Sequence, residues 1–486
     1  GAPLAPPPGQ LMLTAETADE RAARARANSA ARKRNRERHS LRCDLDLKLA
    51  VAREFRQDKF YFPHSMDFRG RAYPMHPHLN HLGSDVCRGV LTFGEAIPLG
   101  EDGYDHLLLQ VSASVGGLPA KRPLSDRLAY ASDRIADIHA TADDPSSSTW
   151  WHEADDPWQL LATCIEIRDA DASGDPATFR SALPVRMDGS CNGLQHYAAL
   201  GRDAAGGKAV NLVPAAAPAD VYSDIAAAVA ARVAADAAAG VPEAVALSGC
   251  VDRKLVKQTV MTSVYGVTFF GARDQVAARL RERGWAPDAD ATFRASAYAA
   301  GVTLRGIGDL FGSARAIMAW LADAASAVAA TGSVVTWHTP LGLPCSQPYR
   351  ASKARAVQTV AQKLILEGDA ARRGAAPALR RRQRAAFPPN FIHALDSTHM
   401  MMTASACRKQ GVAFAGVHDS FWTHAGTATR LASILREAFI DLHSQPLLED
   451  LAADFRAAHP ALAFSPVPAR GELDLDGVRE SKYFFA

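Results

Sequence analysis

Asp188 and Asp419 are the two residues around which chemistry could be built. Each ends a short apolar run and precedes small, turn-forming residues, in Leu183-Pro-Val-Arg-Met-Asp188-Gly-Ser190 and in Gly416-Val-His-Asp419-Ser420. Carboxylates at strand ends are the ligands with which a pair of Mg²⁺ ions can clamp the oxygens of an in-line phosphoryl displacement. Either Asp alone would be an ordinary turn residue. Between them runs Arg253-Lys-Leu-Val-Lys257, followed by Met261 and by Tyr265-Gly266. Arg253, Lys257 and Met261 are spaced i, i+4, i+8 and so form one stripe along a helix. An Arg and a Lys stacked in this way offer a guanidinium fork and a point charge to a triphosphate. The two carboxylates lie so far apart in the chain that only a folded domain could bring them together.

Carboxylate, cationic helix, carboxylate is the order of parts in a nucleotide polymerase, and the surrounding residues make the likeness specific. The chain resembles the catalytic domain of the single-subunit RNA polymerases, the bacteriophage type with its mitochondrial and plastid relatives. Residues 183–203 resemble the first metal-binding motif of that family, 253–271 its fingers helix and 411–424 its second metal-binding motif. Phe62-Pro-His-Ser-Met-Asp-Phe-Arg-Gly-Arg71, Trp337-His-Thr-Pro-Leu-Gly342 and Pro389-Asn-Phe-Ile-His393 with Asp396-Ser-Thr-His399 agree as well, in the same order. The ending Ser481-Lys-Tyr-Phe-Phe-Ala486 and the wording of the second motif look organellar.

The resemblance implies an activity and a set of roles. The activity is DNA-directed RNA synthesis, in which an RNA 3′-hydroxyl attacks the α-phosphate of a ribonucleoside triphosphate and pyrophosphate leaves. Asp188, Asp419 and the Gly189 carbonyl would hold two Mg²⁺ ions, with Lys257 beside Asp188 and Asp419 as a catalytic residue. Arg253, Lys257, Met261, Tyr265, Gly266, His399 and Tyr222 would bind substrate, Tyr265 by sensing the 2′-hydroxyl. Arg69, Arg71 and Tyr73 would contact template and nascent RNA, the arginines through phosphate or sugar; their fallback is a salt bridge to Asp67, and the two roles are compatible. His418 is expected to orient its hairpin, and Phe484-Phe-Ala486 to form a foot tucked towards the site. Partners implied are template DNA, nascent RNA, nucleoside triphosphates and organellar initiation factors, for a monomer in the mitochondrion or, alternatively, the plastid. A related DNA polymerase is disfavoured by Tyr265 and by His-Asp-Ser in the second motif. A non-catalytic nucleic-acid-binding remnant is opposed by the intact motif positions.

Composition narrows the class without naming it. At 486 residues the chain can bury a large core and hold several subdomains. Its 54 basic residues are nearly balanced by 52 acidic ones, so the net charge of +2 says little about nucleic acid and local clustering must carry that argument. No apolar run approaches the ~18 residues of a membrane helix. Seven cysteines are scattered without a Cys-x-x-Cys pair, which reads as reduced thiols rather than a disulfide frame or zinc site. His76, His78 and His81 lack the helical or Cys-paired spacing of a metal site. Neither the N-terminal domain nor the transit peptide of organellar family members is recognisable, so the chain reads as a fragment, suited to elongation on a primed template rather than promoter-dependent initiation.

The elements that must position these residues follow from local pattern. The expected fold is α/β, mostly helical: a right-hand polymerase with palm, fingers and a partial thumb. Residues 1–60 would be linker and partial thumb, 61–250 palm with inserted helices and the first metal motif, 251–335 fingers, and 336–486 palm, second metal motif and foot. Residues 15–60, rich in Ala, Arg and Glu and free of Gly and Pro, predict a long helix with nine basic residues between Arg21 and Arg42. Alternation in Pro184–Asp188 predicts a strand, followed by a helix capped by Ser190 or Asn192. Residues 412–423 predict a hairpin with Asp419 near its tip, residues 336–346 a strand–turn–strand, and the Arg-rich run 368–386 a loop.

Overall fold

The computed structural model describes residues 17–264, 266–285, 288–351, 355–358, 363–366 and 376–485. The fold is mostly helical, and its β-structure consists of small antiparallel sheets. The N-terminal helix, Ala18–Glu54, is long and largely exposed. Only Val51 and Ala52 near its end reach a small apolar cluster around Leu79, Cys87 and Leu91. Low apolar content and abundant Arg explain why most of its described side chains stand in water.

A second, far larger core runs from Leu99 to Phe485 and joins the two motif strands to the helices around them. At its centre is a three-stranded sheet in which Ser420–His424 lies between Ala415–Val417 and Pro184–Asp188. Its register pairs His424 with Pro184, Phe421 with Met187 and Ser420 with Asp188. Val185 and Met187 are buried while Asp188 is exposed, the alternation expected of a strand with one packed face. Val417 pairs with Ser420, so the hairpin turns on His418 and Asp419 alone. His418 takes φ +58°, a left-handed conformation uncommon outside Gly, Asn, Asp and His.

Helix Asn192–Gly201 follows the first strand and is buried at every residue. Its N-cap is Cys191, at φ 64°, and no side chain caps it. The expected cap by Ser190 or Asn192 is therefore not formed. Ser190 donates instead to the Tyr483 carbonyl, and the Asn192 amide donates to Asp396. Tertiary partners outcompeted the local one.

The cationic helix, Arg253–Ser263, is capped by Asp252, whose carboxylate accepts from the Leu255 N–H at 2.9 Å. It packs with Val221–Ala238, Phe269–Glu282 and Ala289–Leu310. The strand–turn–strand at Thr336–His338 and Pro344–Ser346 forms as expected. The Arg-rich run departs from expectation: residues 380–386 begin the 30-residue helix Arg380–Lys409 rather than a loop, and residues 367–375 lie outside the described residues. Burial of the helix's later turns against Gly312–Ala330 and Ala428–His443 overrides the local signal of its charged start. Among the described residues no helix is long and apolar enough to cross a membrane.

Candidate active site

Pairing Ser420 with Asp188 places Asp419, the preceding hairpin residue, beside the end of the first strand. The Gly189 N–H donates to the Asp419 carbonyl at 3.2 Å and stitches the two turns together. A Cβ on Gly189 would stand 3.1 Å from the Phe485 ring and 3.2 Å from Gln195 Oε1, so glycine is what the close approach allows. Asp188 keeps its side chain 55% exposed, open to a ligand. The Asp419 carboxyl is pushed up to about 6, chiefly by burial, then by the Asp396 carboxylate, and to a lesser degree by Asp188. A largely buried carboxylate with two other carboxylates near it, only partly offset by Arg71, is a site that a cation would stabilise.

The donor set fits a divalent metal with incomplete protein coordination. Among the described residues no group of three or more His, Cys, Asp or Glu side chains comes together to hold one. Asp188 and Asp419 would thus supply two carboxylates and leave further positions to substrate oxygens and water, a pattern usual for Mg²⁺. The Gly189 carbonyl already accepts the Cys191 N–H at 2.9 Å, with one lone pair to spare.

Under the hairpin tip lies a network that the sequence assigned to nucleic acid. Arg69 gives Nε and Nη2 to the Asp67 carboxylate at 3.0 and 2.6 Å, and Nη1 to His393 at 2.7 Å. Arg71 gives Nε and Nη2 to Asp396 at 3.0 and 2.5 Å. Both guanidiniums are largely buried and form an internal brace joining this loop to helix Arg380–Lys409. The Tyr73 hydroxyl donates to Asp67 at 3.4 Å, and its ring meets His418 edge-on at 4.9 Å. Tyr73 therefore steadies the hairpin tip, and His418 orients the tip by backbone conformation and ring packing. His393 is pushed down to about 2 by burial and then by Arg71 and Arg69, and stays neutral.

The cationic helix faces a second cluster. Arg253 Nε contacts Asp220 at 2.7 Å, and its guanidinium lies 5.0 Å from the centre of the Tyr222 ring. Lys257 Nζ lies 6.0 Å from the same ring and is exposed, as is Met261. Lys121 Nζ joins them, 3.9 Å from Asp220. Its pKa is lowered, first by burial and then by Arg253, with Lys257 adding to the effect. Arg253 and Lys121 thus share the Asp220 carboxylate while Lys257 stands beside the same Tyr222 ring, and the surplus positive charge suits a polyphosphate. Lys121 escaped the sequence reading because nothing local marks it: it lies in Pro119–Lys121, a single short turn, far along the chain from the helix it joins. The Tyr222 hydroxyl is hydrogen-bonded with Cys191, and burial raises its pKa strongly, so Tyr222 links the cationic cluster to the turn after Asp188. Tyr265 lies outside the described residues; beside it Gly266 takes φ +75°.

His399 does not reach this surface. It is fully buried, donates Nε2–H to the Leu435 carbonyl at 2.9 Å, and packs against Phe421, Phe439, Phe484 and Phe485. Its place in this structure is the core behind the site, not the surface a nucleotide would meet. The C-terminal residues do tuck under the site: Phe485 forms a bridge with Gly189, and the Phe484 carbonyl accepts from Gln195 at 3.0 Å.

An antiparallel sheet with acidic residues on adjacent turns, set beside a cationic helix, is the palm of a right-hand nucleotide polymerase. Residues 97–461 match the family model of the DNA-dependent RNA polymerases, and the chain belongs to that family. It is 52% identical over 462 residues to DNA-directed RNA polymerase 2B, chloroplastic/mitochondrial, of Nicotiana tabacum, covering 93% of this chain and 45% of that protein. DNA-directed RNA polymerase 2, chloroplastic/mitochondrial, of Arabidopsis thaliana is 52% identical over 463 residues, covering 94% of this chain and 45% of the relative. DNA-directed RNA polymerase 1, mitochondrial, of Nicotiana sylvestris is 51% identical over 462 residues, with coverages of 93% and 46%. The chain spans less than half the length of these relatives. A solved structure, the POL domain of Pol1 from M. smegmatis with DNA primer-template and dNTP, is 14% identical at a TM-score of 0.29, covering 63% of this chain and 53% of its own, too weak a likeness to carry an argument.

Proposed function

We propose that this chain is the catalytic portion of an organellar DNA-directed RNA polymerase, which extends the 3′ end of RNA with ribonucleoside triphosphates on a DNA template. The observation that carries the reading is the strand register that sets Asp188 beside Asp419, whose carboxyl is raised to about 6 by burial and by the neighbouring carboxylates. Two Mg²⁺ ions bound there would supply Lewis-acid activation of the 3′-hydroxyl and neutralisation of the leaving pyrophosphate. Asp188 and Asp419 hold and orient those ions, with the Gly189 carbonyl as a further ligand. Arg253, Lys257 and Lys121 bind the triphosphate, and Tyr222 supports the two side chains of the helix from below. Met261, Tyr265 and Gly266 border the incoming nucleotide, and the Tyr265 hydroxyl selects the ribose. The rest of the reading is a monomer working with initiation factors, in the mitochondrion or, alternatively, the plastid; the names of the relatives above include both organelles.

The test is primer extension on an RNA–DNA scaffold with Mg²⁺, offering ribonucleotides or deoxyribonucleotides. Extension with ribonucleotides, abolished by Asp419→Asn and relaxed towards deoxyribonucleotides by Tyr265→Phe, is the expected result. Extension that survives Asp419→Asn, or that prefers deoxyribonucleotides in the wild-type chain, would overturn the proposal.

A further inference from the structure

Against the strand Pro184–Asp188 lies a cavity of about 240 Å³, walled by helices Gly103–Val115, Leu124–Ser132 and Ala428–His443 and by the C-terminal run Lys482–Phe485. Four of its lining residues are cations, Arg127, Arg186, Arg436 and Lys482, and none of the described lining residues carries a carboxylate. This cluster shares no residue with Lys121, Arg253 and Lys257.

Arg127 is the telling member. It is only 6% exposed, and its guanidinium donates a single long hydrogen bond, from Nη2 to the Leu109 carbonyl at 3.4 Å. Its Nε has no partner, and among the described residues no carboxylate stands within ion-pair distance, Asp188 acting on it only from farther off. Arg186 spends Nη2 on Asp156 at 2.5 Å, while its Nε lies 3.9 Å from the Asp188 carboxylate and makes no hydrogen bond. Arg436 is held by the Ser481 carbonyl at 3.1 and 2.7 Å, and Lys482 is exposed.

A buried charge without a counter-charge is costly. Lysine could escape by losing its proton, but a guanidinium does not. Water in the cavity could take the orphan N–H groups without cancelling the charge. An anion does both. The cavity falls below the ~300–1,000 Å³ of drug-sized sites, and guanidinium N–H donors suit a tetrahedral oxyanion. We propose that this cavity binds a small phosphate-type oxyanion, inorganic phosphate or pyrophosphate, at Arg127 and Arg186 with Lys482 at its edge. Because Arg186 precedes Asp188 by two residues and Phe485 bridges to Gly189, the bound anion clamps the support of the first carboxylate. The inference stands on these residues alone and does not require the polymerase reading.

Thermal unfolding of the full chain, without nucleotide or divalent ions, tests it. Inorganic phosphate is titrated in one arm and pyrophosphate in the other, each against chloride at matched ionic strength. A saturable rise in Tm is expected with at least one of them. The arm with the lower half-saturation identifies the anion. Lys257→Met keeps the rise, whereas Arg127→Met loses it and, relieved of an uncompensated charge, melts higher than wild type in chloride. A rise that is absent, or lost with Lys257→Met but kept with Arg127→Met, would overturn the site. If Arg127→Met does not fold, Lys482→Gln takes its place. Removal of one exposed charge is expected to raise the half-saturation concentration about two- to fivefold, and an unchanged value would overturn the proposal.

Discussion

Replacing Asp419 by Asn should make the metal-free protein more stable while destroying its activity. The native carboxyl is raised from 3.8 to about 6, first by burial, then by Asp396, with Asp188 adding to it. The folded state therefore holds this proton more tightly than the unfolded chain does. Its contribution to stability is greatest below the unfolded pKa and is lost as pH rises through about 6. A shift of about two units is worth about 3 kcal/mol, and Asn escapes that penalty at neutral pH. With an unfolding entropy of about 2.1 cal/mol/K per residue, a chain of this length should gain about 2–3 °C in Tm. The assay is thermal unfolding of wild type and Asp419→Asn in chelator, at neutral pH and near pH 4, then with Mg²⁺. The gain should appear at neutral pH and fade in acid, where wild-type Asp419 is protonated. Mg²⁺ should raise the wild type more than the variant, closing the gap. A variant that melts at or below wild type in chelator at neutral pH would refute the idea that Asp419 is held as an uncompensated charge.

Two further substitutions separate bracing from substrate binding. Arg71→Gln leaves Asp396 buried without its guanidinium partner and should cost about 3–5 kcal/mol in urea unfolding; adding Asp396→Asn should recover part of it, and strict additivity of the two would argue against the pair. Lys121→Ala should leave unfolding nearly unchanged but raise KM for the nucleoside triphosphate about tenfold in single-nucleotide addition, the worth of one charged hydrogen bond; an unchanged KM would remove Lys121 from the triphosphate cluster.

The proposed site divides into exposed groups that would meet substrate and buried groups that hold them in place. Exposed Asp188, Lys257 and Met261 face solvent, whereas Arg71, Asp396, Asn192 and His399 are withdrawn behind them. The withdrawn set links segments that are far apart: Arg71 and Asn192 share the Asp396 carboxylate, one oxygen each, at 2.5 and 2.7 Å. Such a brace fixes the loop at Asp67, the turn after Asp188 and the long helix Arg380–Lys409 relative to the hairpin tip. Burial raises the pKa of Asp396 while Arg71 and Asn192 lower it, so the brace depends on its partners to stay charged.

Local pattern was enough for the parts whose physics is local. Alternating apolar residues made Pro184–Asp188 a strand, the i, i+4 spacing of the cations marked Arg253–Ser263 as a helix, and the short turn at His418 and Asp419 made a hairpin. The motif resemblance then assigned Asp188 and Asp419 to one site, and the strand register brings them there. What the sequence could not supply was which polar groups would find partners across the fold. Arg69 and Arg71 read as phosphate contacts or as partners of Asp67, and the further partners Asp396 and His393 were hidden because they lie more than three hundred positions away. His399 read as a substrate ligand because burial among four phenylalanines is invisible until the C-terminal segment folds back beneath it. Lys121 gave no signal at all, yet shares Asp220 with Arg253. Backbone preference and hydrophobic period act over a few residues, whereas desolvation and ion pairing depend on what the tertiary structure sets within a few ångströms, and those two effects decide which charged residues are left to meet substrate.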